Sequence, residues 1–200
     1  YGTDLENWKA GIAGPVKHAA IFDGEEFDSR IKQPVFGSDD FVTPEENKEF
    51  KGSIFPTAGA EIVLRKDLAL DPIEAYTWKG VSGAAKNVFG KVIKTRQFDD
   101  PKGVLEVAPG ETLVIDFGQN CSAVPAFVMQ ASEGAVLTCL PGEMLNDNNG
   151  ERSRGNDGPG GSVYRLNLRV PNDGMRAVYT FSGSDVESYM PRFTFFGYRY

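Results

Sequence analysis

From about residue 58 onward the chain is a succession of short β-branched and aromatic runs divided by turn residues, and that spacing admits few folds. The runs are 61–65, 73–79, 88–94, 104–107, 112–117, 126–130, 135–140, 163–170, 177–181 and 192–200. Between them stand Pro109-Gly110, Glu133-Gly134, Pro141-Gly142, Asn172-Asp173-Gly174 and Ser182-Gly183. No amphipathic helical period fills the gaps. Strands at such intervals predict an all-β antiparallel β-sandwich or jelly roll. Gly 23 and Pro 12 among 200 residues supply the many turns this needs.

The clearest alternation runs over 163–170. Tyr164, Leu166, Leu168 and Val170 share one face, and Arg165, Asn167 and Arg169 the other. That is a strand with one wet face. Asn172-Asp173-Gly174 then turns the chain toward the run at 177–181, which predicts a hairpin. Residues 146–162 read as a long, mobile polar loop.

Residues 1–57 read differently. Their periodicity is weak, and acids gather from Asp39 to Glu49. Thr43-Pro44-Glu45-Glu46 has the chemistry to open a short helix. The expected division is therefore 1–57 as a linker or the tail of a preceding β-domain, and 58–200 as the sandwich. The chain opens on Tyr1 without a leader and closes on Tyr200 in an aromatic run. The expectation is an excised segment of a longer protein.

Charge and composition exclude several classes. With 21 Lys+Arg against 28 Asp+Glu the formal charge is -7, and no basic stripe interrupts it. Nucleic acid and anionic membranes are not expected partners. No apolar run approaches the about 18 residues of a membrane span. One histidine, His18, excludes a His-rich metal centre, and two cysteines exclude a Cys-rich zinc site. Cys121 and Cys139 stand as a disulfide or as two buried thiols, the thiols being preferred. Compartment stays open, with a secreted or periplasmic setting favoured over the cytoplasm. No cofactor and no metal site is expected.

Several residues invite a functional reading. Asp116 and Glu143 could form a carboxylate pair, but nothing brings them together, and ties to nearby backbone are the plainer expectation. Asp147, Asn148, Asn149, Glu151 and Asp157 offer oxygen ligands. Their spacing fails the helical-hand calcium pattern, since Leu145 or Ser153 falls at the first ligand position. Trp78, Tyr76 and Trp8 are the aromatics best suited to stack on a sugar ring. Trp78 and Tyr76 share a strand face and read first as core. Phe193, Phe195, Phe196, Tyr198 and Tyr200 predict a terminal strand buried on both faces. Arg192 and Arg199 are expected to tie to Glu187 or Glu143.

Four segments resemble a known family. They are Val107-Ala-Pro-Gly-Glu-Thr-Leu-Val-Ile-Asp-Phe-Gly-Gln-Asn120, Gly142-Glu143, Glu187-Ser-Tyr-Met-Pro-Arg-Phe-Thr-Phe-Phe-Gly-Tyr-Arg-Tyr200, and Ile21-Phe-Asp-Gly-Glu-Glu-Phe-Asp-Ser-Arg30 upstream. In this order they resemble the concanavalin-like β-sandwich accessory domain of bacterial α-L-rhamnosidases. Two departures stand out. Cys121-Ser-Ala-Val-Pro125 follows Asn120 where the family keeps a glycine, and Tyr198 replaces the commoner Phe. Pro125 cannot donate to a ladder, which suggests an edge or a bulge.

The resemblance implies a non-catalytic support domain in an enzyme that cleaves terminal α-L-rhamnose. In that family an (α/α)-barrel does the chemistry with inversion, through a general acid and a second carboxylate that activates water. The implied partners are that barrel and a preceding β-domain of the same protein, with rhamnosyl carbohydrate as a further one. No catalytic residue carries over to residues 1–200. The alternative from another class is a carbohydrate-binding module that uses Trp78, Tyr76 and Trp8. A third is a cell-surface adhesion or assembly sandwich, which only the architecture supports.

Overall fold

The computed structural model describes residues 7–11, 13–35, 37–46, 48–49, 51–53, 55–56, 59, 61–147, 155–166 and 174–200. Its regular structure is all-β among these residues, apart from a 3-10 turn at Lys66–Leu68. The strands are β1 (Val16–Ala20), β2 (Gly24–Asp28), β3 (Glu74–Ser82), β4 (Lys91–Gln97), β5 (Thr112–Asp116), β6 (Cys121–Ala123) and β7 (Phe127–Met129). They continue with β8 (Val136–Cys139), β9 (Met144–Leu145), β10 (Val163–Tyr164), β11 (Arg176–Thr180), β12 (Glu187–Tyr189) and β13 (Phe196–Tyr198). The all-β class read from the strand spacing is the class observed.

The chain divides into two compact units, residues 1–15 with 31–69, and residues 16–30 with 70–200. In the first unit Ala10 and Val42 form an isolated antiparallel bridge, and Lys9 Nζ donates to Thr43 Oγ1 at 2.8 Å. Two expected elements do not form there. Thr43–Glu46 is not helical, and 61–65 is not a strand. Ile62, Val63 and Leu64 are more than half exposed, so their β-propensity finds no surface to pack on.

The second unit holds the sheets. Strands β1, β2, β11 and β8 lie side by side in that order, and β3 lies between β4 and β5. Three two-stranded ribbons complete it: β9 with β10, β7 with β12, and β6 with β13. Among the described residues, all pairings between these strands are antiparallel except one. β2 runs parallel to β11, Gly24 opposite Arg176 through Asp28 opposite Thr180. The sequence division leaves residues 16–30 in the first part of the chain; the fold draws them into this unit, where Arg176 on β11 bonds Glu26, 150 positions upstream.

Around this pairing sits the aromatic core. Ala177, Tyr179, Phe181, Tyr189, Phe196 and Tyr198 are buried, with Phe27, Phe117 and Phe127 packed against them. Tyr179 stacks on Phe27 at 5.6 Å and lies 4.8 Å from Tyr189 and 5.1 Å from Phe181. Such ring pairs add roughly 0.5–1.5 kcal/mol each beyond their buried area. Burial of the terminal strand is uneven. Phe196 and Tyr198 are core, Phe195 is half-buried, and Phe193 faces solvent.

Other differences have local causes. Val104 and Val107 stay exposed between two Pro/Gly turns and pair with nothing regular. The run at 163–170 begins as β10, but residues 167–173 lie outside the described set, as does most of the Asn172-Asp173-Gly174 turn. Of the loop at 146–162, residues 148–154 are likewise outside it. The remainder folds around Asn146, whose Oδ1 accepts from Asp157 N–H at 2.7 Å and whose Nδ2 donates to Ser162 Oγ at 2.8 Å.

Gly24 sets the parallel pairing. Its φ is +111°, and a Cβ there would fall 1.8 Å from the Arg176 carbonyl oxygen. Gly24→Ala is therefore expected to cost about 2–4 kcal/mol, through strain and a displaced β2. Urea unfolding followed by tyrosine and tryptophan fluorescence measures it; a loss under about 1 kcal/mol contradicts the assignment.

Candidate functional site

Chemistry-bearing side chains concentrate where β2 meets the C-terminal strands. Glu25 is 1% exposed. Its Oε1 accepts from Tyr189 Oη at 3.1 Å, and its Oε2 accepts from the backbone N–H of Arg192 (2.9 Å) and Phe193 (3.2 Å). A buried carboxylate without such donors would be strongly unfavourable. On the same strand Glu26 pairs with Arg176 at 2.8 Å, half-exposed.

Glu187 forms a second buried hub. Its Oε2 accepts from Ser29 Oγ at 2.6 Å and from Tyr179 Oη at 2.8 Å. Its Oε1 accepts from the N–H groups of Ser182 and Gly183, both at 3.1 Å. Burial opposes its charge. The hydrogen bonds from Ser29, Ser182 and Tyr179 outweigh burial and hold its pKa at about 2, below the ordinary 4.5.

Asp116 closes β5 onto the last residues. Its two oxygens take Nε and Nη2 of Arg199 at 2.8 Å each, and Oδ1 also accepts Gly118 N–H at 2.6 Å. The Arg199 guanidinium keeps this carboxyl below its ordinary value. The pairing corrects the sequence expectation: Arg199 ties to Asp116, and not to Glu187 or Glu143. Arg192 reaches neither acid with the contacts expected of it; its backbone N–H serves Glu25. Glu143 instead accepts from Asn120 Nδ2 at 3.1 Å. Asp116 and Glu143 are thus engaged separately, each with a residue distant in sequence.

The three aromatics are placed unequally. Tyr76 and Trp78 stand two residues apart on β3. Tyr76 is 4% exposed, donates to the Gly161 carbonyl at 2.6 Å, and has Lys94 Nζ 3.7 Å above its ring. Burial pushes its hydroxyl up to about 12. Trp78 is half-buried, and its indole Nε1 is buried without a hydrogen-bond partner among the described residues. Trp8 is 56% exposed and belongs to the other unit. An open groove of about 450 Å³ runs between Lys91, Val92 and Lys94 on β4 and Asn146, Asp147, Gly160 and Gly161.

Both cysteines are free thiols. Burial pushes Cys139 up to about 12 and raises Cys121, whose Sγ lies 3.2 Å from the Tyr198 carbonyl. Among the described residues no group of three or more His, Cys, Asp or Glu could hold a metal ion. No helix among them is long and apolar enough to cross a membrane.

Chemically, these acids are built to hold backbone. Glu25, Glu187 and Asp116 each give both oxygens to protein donors. Sequence reading missed Glu25 and Glu187 as hubs. The available signal was that both lie inside quoted segments, 21–30 and 187–200, whose roles could be matched only in three dimensions.

Comparison with known proteins agrees with the resemblance. Residues 106–200 match the family model of the bacterial alpha-L-rhamnosidase concanavalin-like domain. The alpha-L-rhamnosidase of Streptomyces avermitilis is 26% identical, over 99% of this chain and 15% of its own length. That of Formosa agariphila is 24% identical, over 98% of this chain and 17% of its own length. Among solved structures, Streptomyces avermitilis alpha-L-rhamnosidase complexed with L-rhamnose is 21% identical, with a TM-score of 0.48, covering 93% of this chain and 14% of that one. The chain thus spans roughly a sixth of the length of these curated relatives.

The depressed carboxyls fix the acid limb of stability. Their folded pKa values lie below the unfolded ones, so their contribution is complete above about pH 4.5 and fades as pH falls toward 2. Glu187→Gln is expected to lower stability at pH 7 by about 1–3 kcal/mol and to flatten the decline below pH 4.5. Urea midpoints from pH 7 to pH 3 measure both; an unchanged acid limb contradicts the role given to Glu187.

Proposed function

We propose, from the match of residues 106–200 to the family model of the bacterial alpha-L-rhamnosidase concanavalin-like domain, that the chain is the non-catalytic accessory sandwich of a glycosidase that releases terminal α-L-rhamnosyl groups. The carrying observation is the coverage. The chain aligns along nearly its whole length with the curated rhamnosidases and takes up only 15–17% of theirs. Residues 70–200 with the Val16–Arg30 hairpin form the accessory unit. The remainder of residues 1–57 leads in from a preceding β-domain. A catalytic (α/α)-barrel of the same polypeptide is the main partner, and the sandwich supports it.

The side chains support this division of labour. Inverting hydrolysis needs two carboxyls roughly 6.5–9.5 Å apart, with water and the glycosidic oxygen between them. Glu25, Glu187 and Asp116 are instead saturated by Tyr189, Ser29, Tyr179, Arg199 and backbone N–H groups. A second reading, sugar contact through Trp78, Tyr76 and Trp8, draws its support from the exposed ring of Trp8.

Residues 1–200 alone are expected to release no p-nitrophenol from p-nitrophenyl α-L-rhamnopyranoside above blank, while the intact polypeptide does. Turnover by residues 1–200 overturns the non-catalytic assignment. Rhamnose titration followed by tryptophan fluorescence tests the second reading, which a flat response removes.

A further inference from the structure

The β1–β2 hairpin belongs to one unit by packing and to the other by its place in the chain. The chain passes between the two units after Pro15, after Arg30 and after Ala69. Residues 16–30 therefore leave the first unit and join the sheet. The chain then returns to the first unit and enters the second for good only at Leu70.

What the hairpin joins is an edge. In the order β1, β2, β11, β8, its removal would leave one side of β11 unpaired. Five residues of β2 lie in register along that side, Gly24 to Asp28 against Arg176 to Thr180. Backbone pins both ends of the register. Arg176 N–H donates to the Asp23 carbonyl at 3.1 Å, and Ser29 N–H donates to the Thr180 carbonyl at 3.0 Å. The side chains alternate as a pleated strand requires. Glu25 turns inward to Tyr189, and Phe27 to the rings of Tyr179 and Tyr189, each 5.6 Å away. Glu26 turns outward to Arg176 at 2.8 Å. A strand added to a sheet edge takes affinity from its main chain and specificity from alternate side chains. β2 has both, and β1 covers its other side.

The connector that follows has neither. Residues 61–65 carry no regular structure, and Ile62, Val63 and Leu64 are more than half exposed. Arg65 turns to Asp67, two residues on, in a surface pair. Exposed pairs of that kind contribute little.

We infer that residues 16–30 are a clasp that fastens the lead-in to the accessory unit independently of the connector at 31–69. The inference rests on the accessory-domain reading above and gives the hairpin a task within it. A domain preceding residue 1 is tethered to the sandwich through residues 1–15 and not through residues 1–69. Fully extended, the shorter tether reaches at most about 50 Å and the longer about 230 Å. The clasp thereby limits how far the preceding β-domain can stray from the sandwich.

The test inserts a recognition sequence for a site-specific endoprotease between Val63 and Leu64 of residues 1–200, where exposed backbone tolerates it. The folded protein is then cut. The two pieces are expected to co-elute from a sizing column in buffer at about 1 µM and to separate in urea. Separation in buffer overturns the inference. Two mild variants locate the tie. Ser29→Ala removes the hydroxyl that donates to Glu187 at 2.6 Å, and Phe27→Leu keeps an apolar side chain while removing the ring contacts. Each is expected to speed release of the cut piece by about tenfold or more. Release at the unaltered rate in both variants also overturns the inference, since something other than the clasp then holds the pieces. Hydrolysis of the aryl rhamnoside by the intact, uncut polypeptide is measured alongside. Separation of the pieces with hydrolysis present sinks the clasp alone, and co-elution with hydrolysis absent sinks the rhamnosidase reading alone.

Discussion

The burial of the Glu25 carboxylate is the constraint on which the second unit depends. Taking an ionised group out of water costs several kcal/mol unless each oxygen finds donors. Glu25 finds them in Tyr189 Oη and in the N–H groups of Arg192 and Phe193. Those two N–H groups come from the break between β12 and β13, where the antiparallel ladder is interrupted. The carboxylate therefore satisfies backbone that the interruption leaves open, and the interruption satisfies the carboxylate. Neither is stable in that form without the other, which holds β2 in parallel beside β11 despite the long crossover between them.

The same reciprocity links the segments that resemble the rhamnosidase accessory domain. Asp116 grips Arg199, while Phe117 N–H donates to the Arg199 carbonyl and the Phe117 ring meets Tyr198 edge-on. Gly142 exchanges backbone hydrogen bonds with Arg199 and Tyr200, and Glu143 holds Asn120. Ser29, at the end of the upstream segment, donates to Glu187. Each segment closes on another. Their order in sequence is thus a record of a folding lock, which explains how four short motifs can be distinctive without holding a reactive group.

Legibility in the sequence follows from this. Strands whose stability comes from β-branched residues, such as β3, β5 and β11, are visible as runs. β2 is not, because Gly24-Glu25-Glu26-Phe27-Asp28 reads as an acidic turn until Tyr189 and Arg176 are placed beside it. β12 is hidden for the same reason, with Glu187 at its start. The reverse error occurs at 61–65 and 104–107, where propensity is present and a partner strand is not. For the candidate site, the aromatic types of Tyr76, Trp78 and Trp8 are plain in the sequence, but their exposure is a tertiary property. Lys94 over Tyr76 and the separate unit that holds Trp8 have no local signature. Arg199 was legible as a tie, and only its partner required the fold.

Pro125 shows how one departure from the family pattern shapes the surface. β6 pairs with β13, and β7 pairs with β12, so residues 121–129 and 187–198 would form one long antiparallel pair if neither strand were broken. A proline sits in each break, Pro125 between β6 and β7 and Pro191 between β12 and β13. Neither has an N–H to lose, so the ladder ends there at little cost. The breaks are unequal, three residues against six, and the longer one supplies the two N–H groups that Glu25 takes. A continuous ladder would have used those donors within the sheet and left Glu25 Oε2 without them. The prolines thus do more than end strands. They release donors inward for a buried acid, and they set off a short ribbon whose outer face carries no charge.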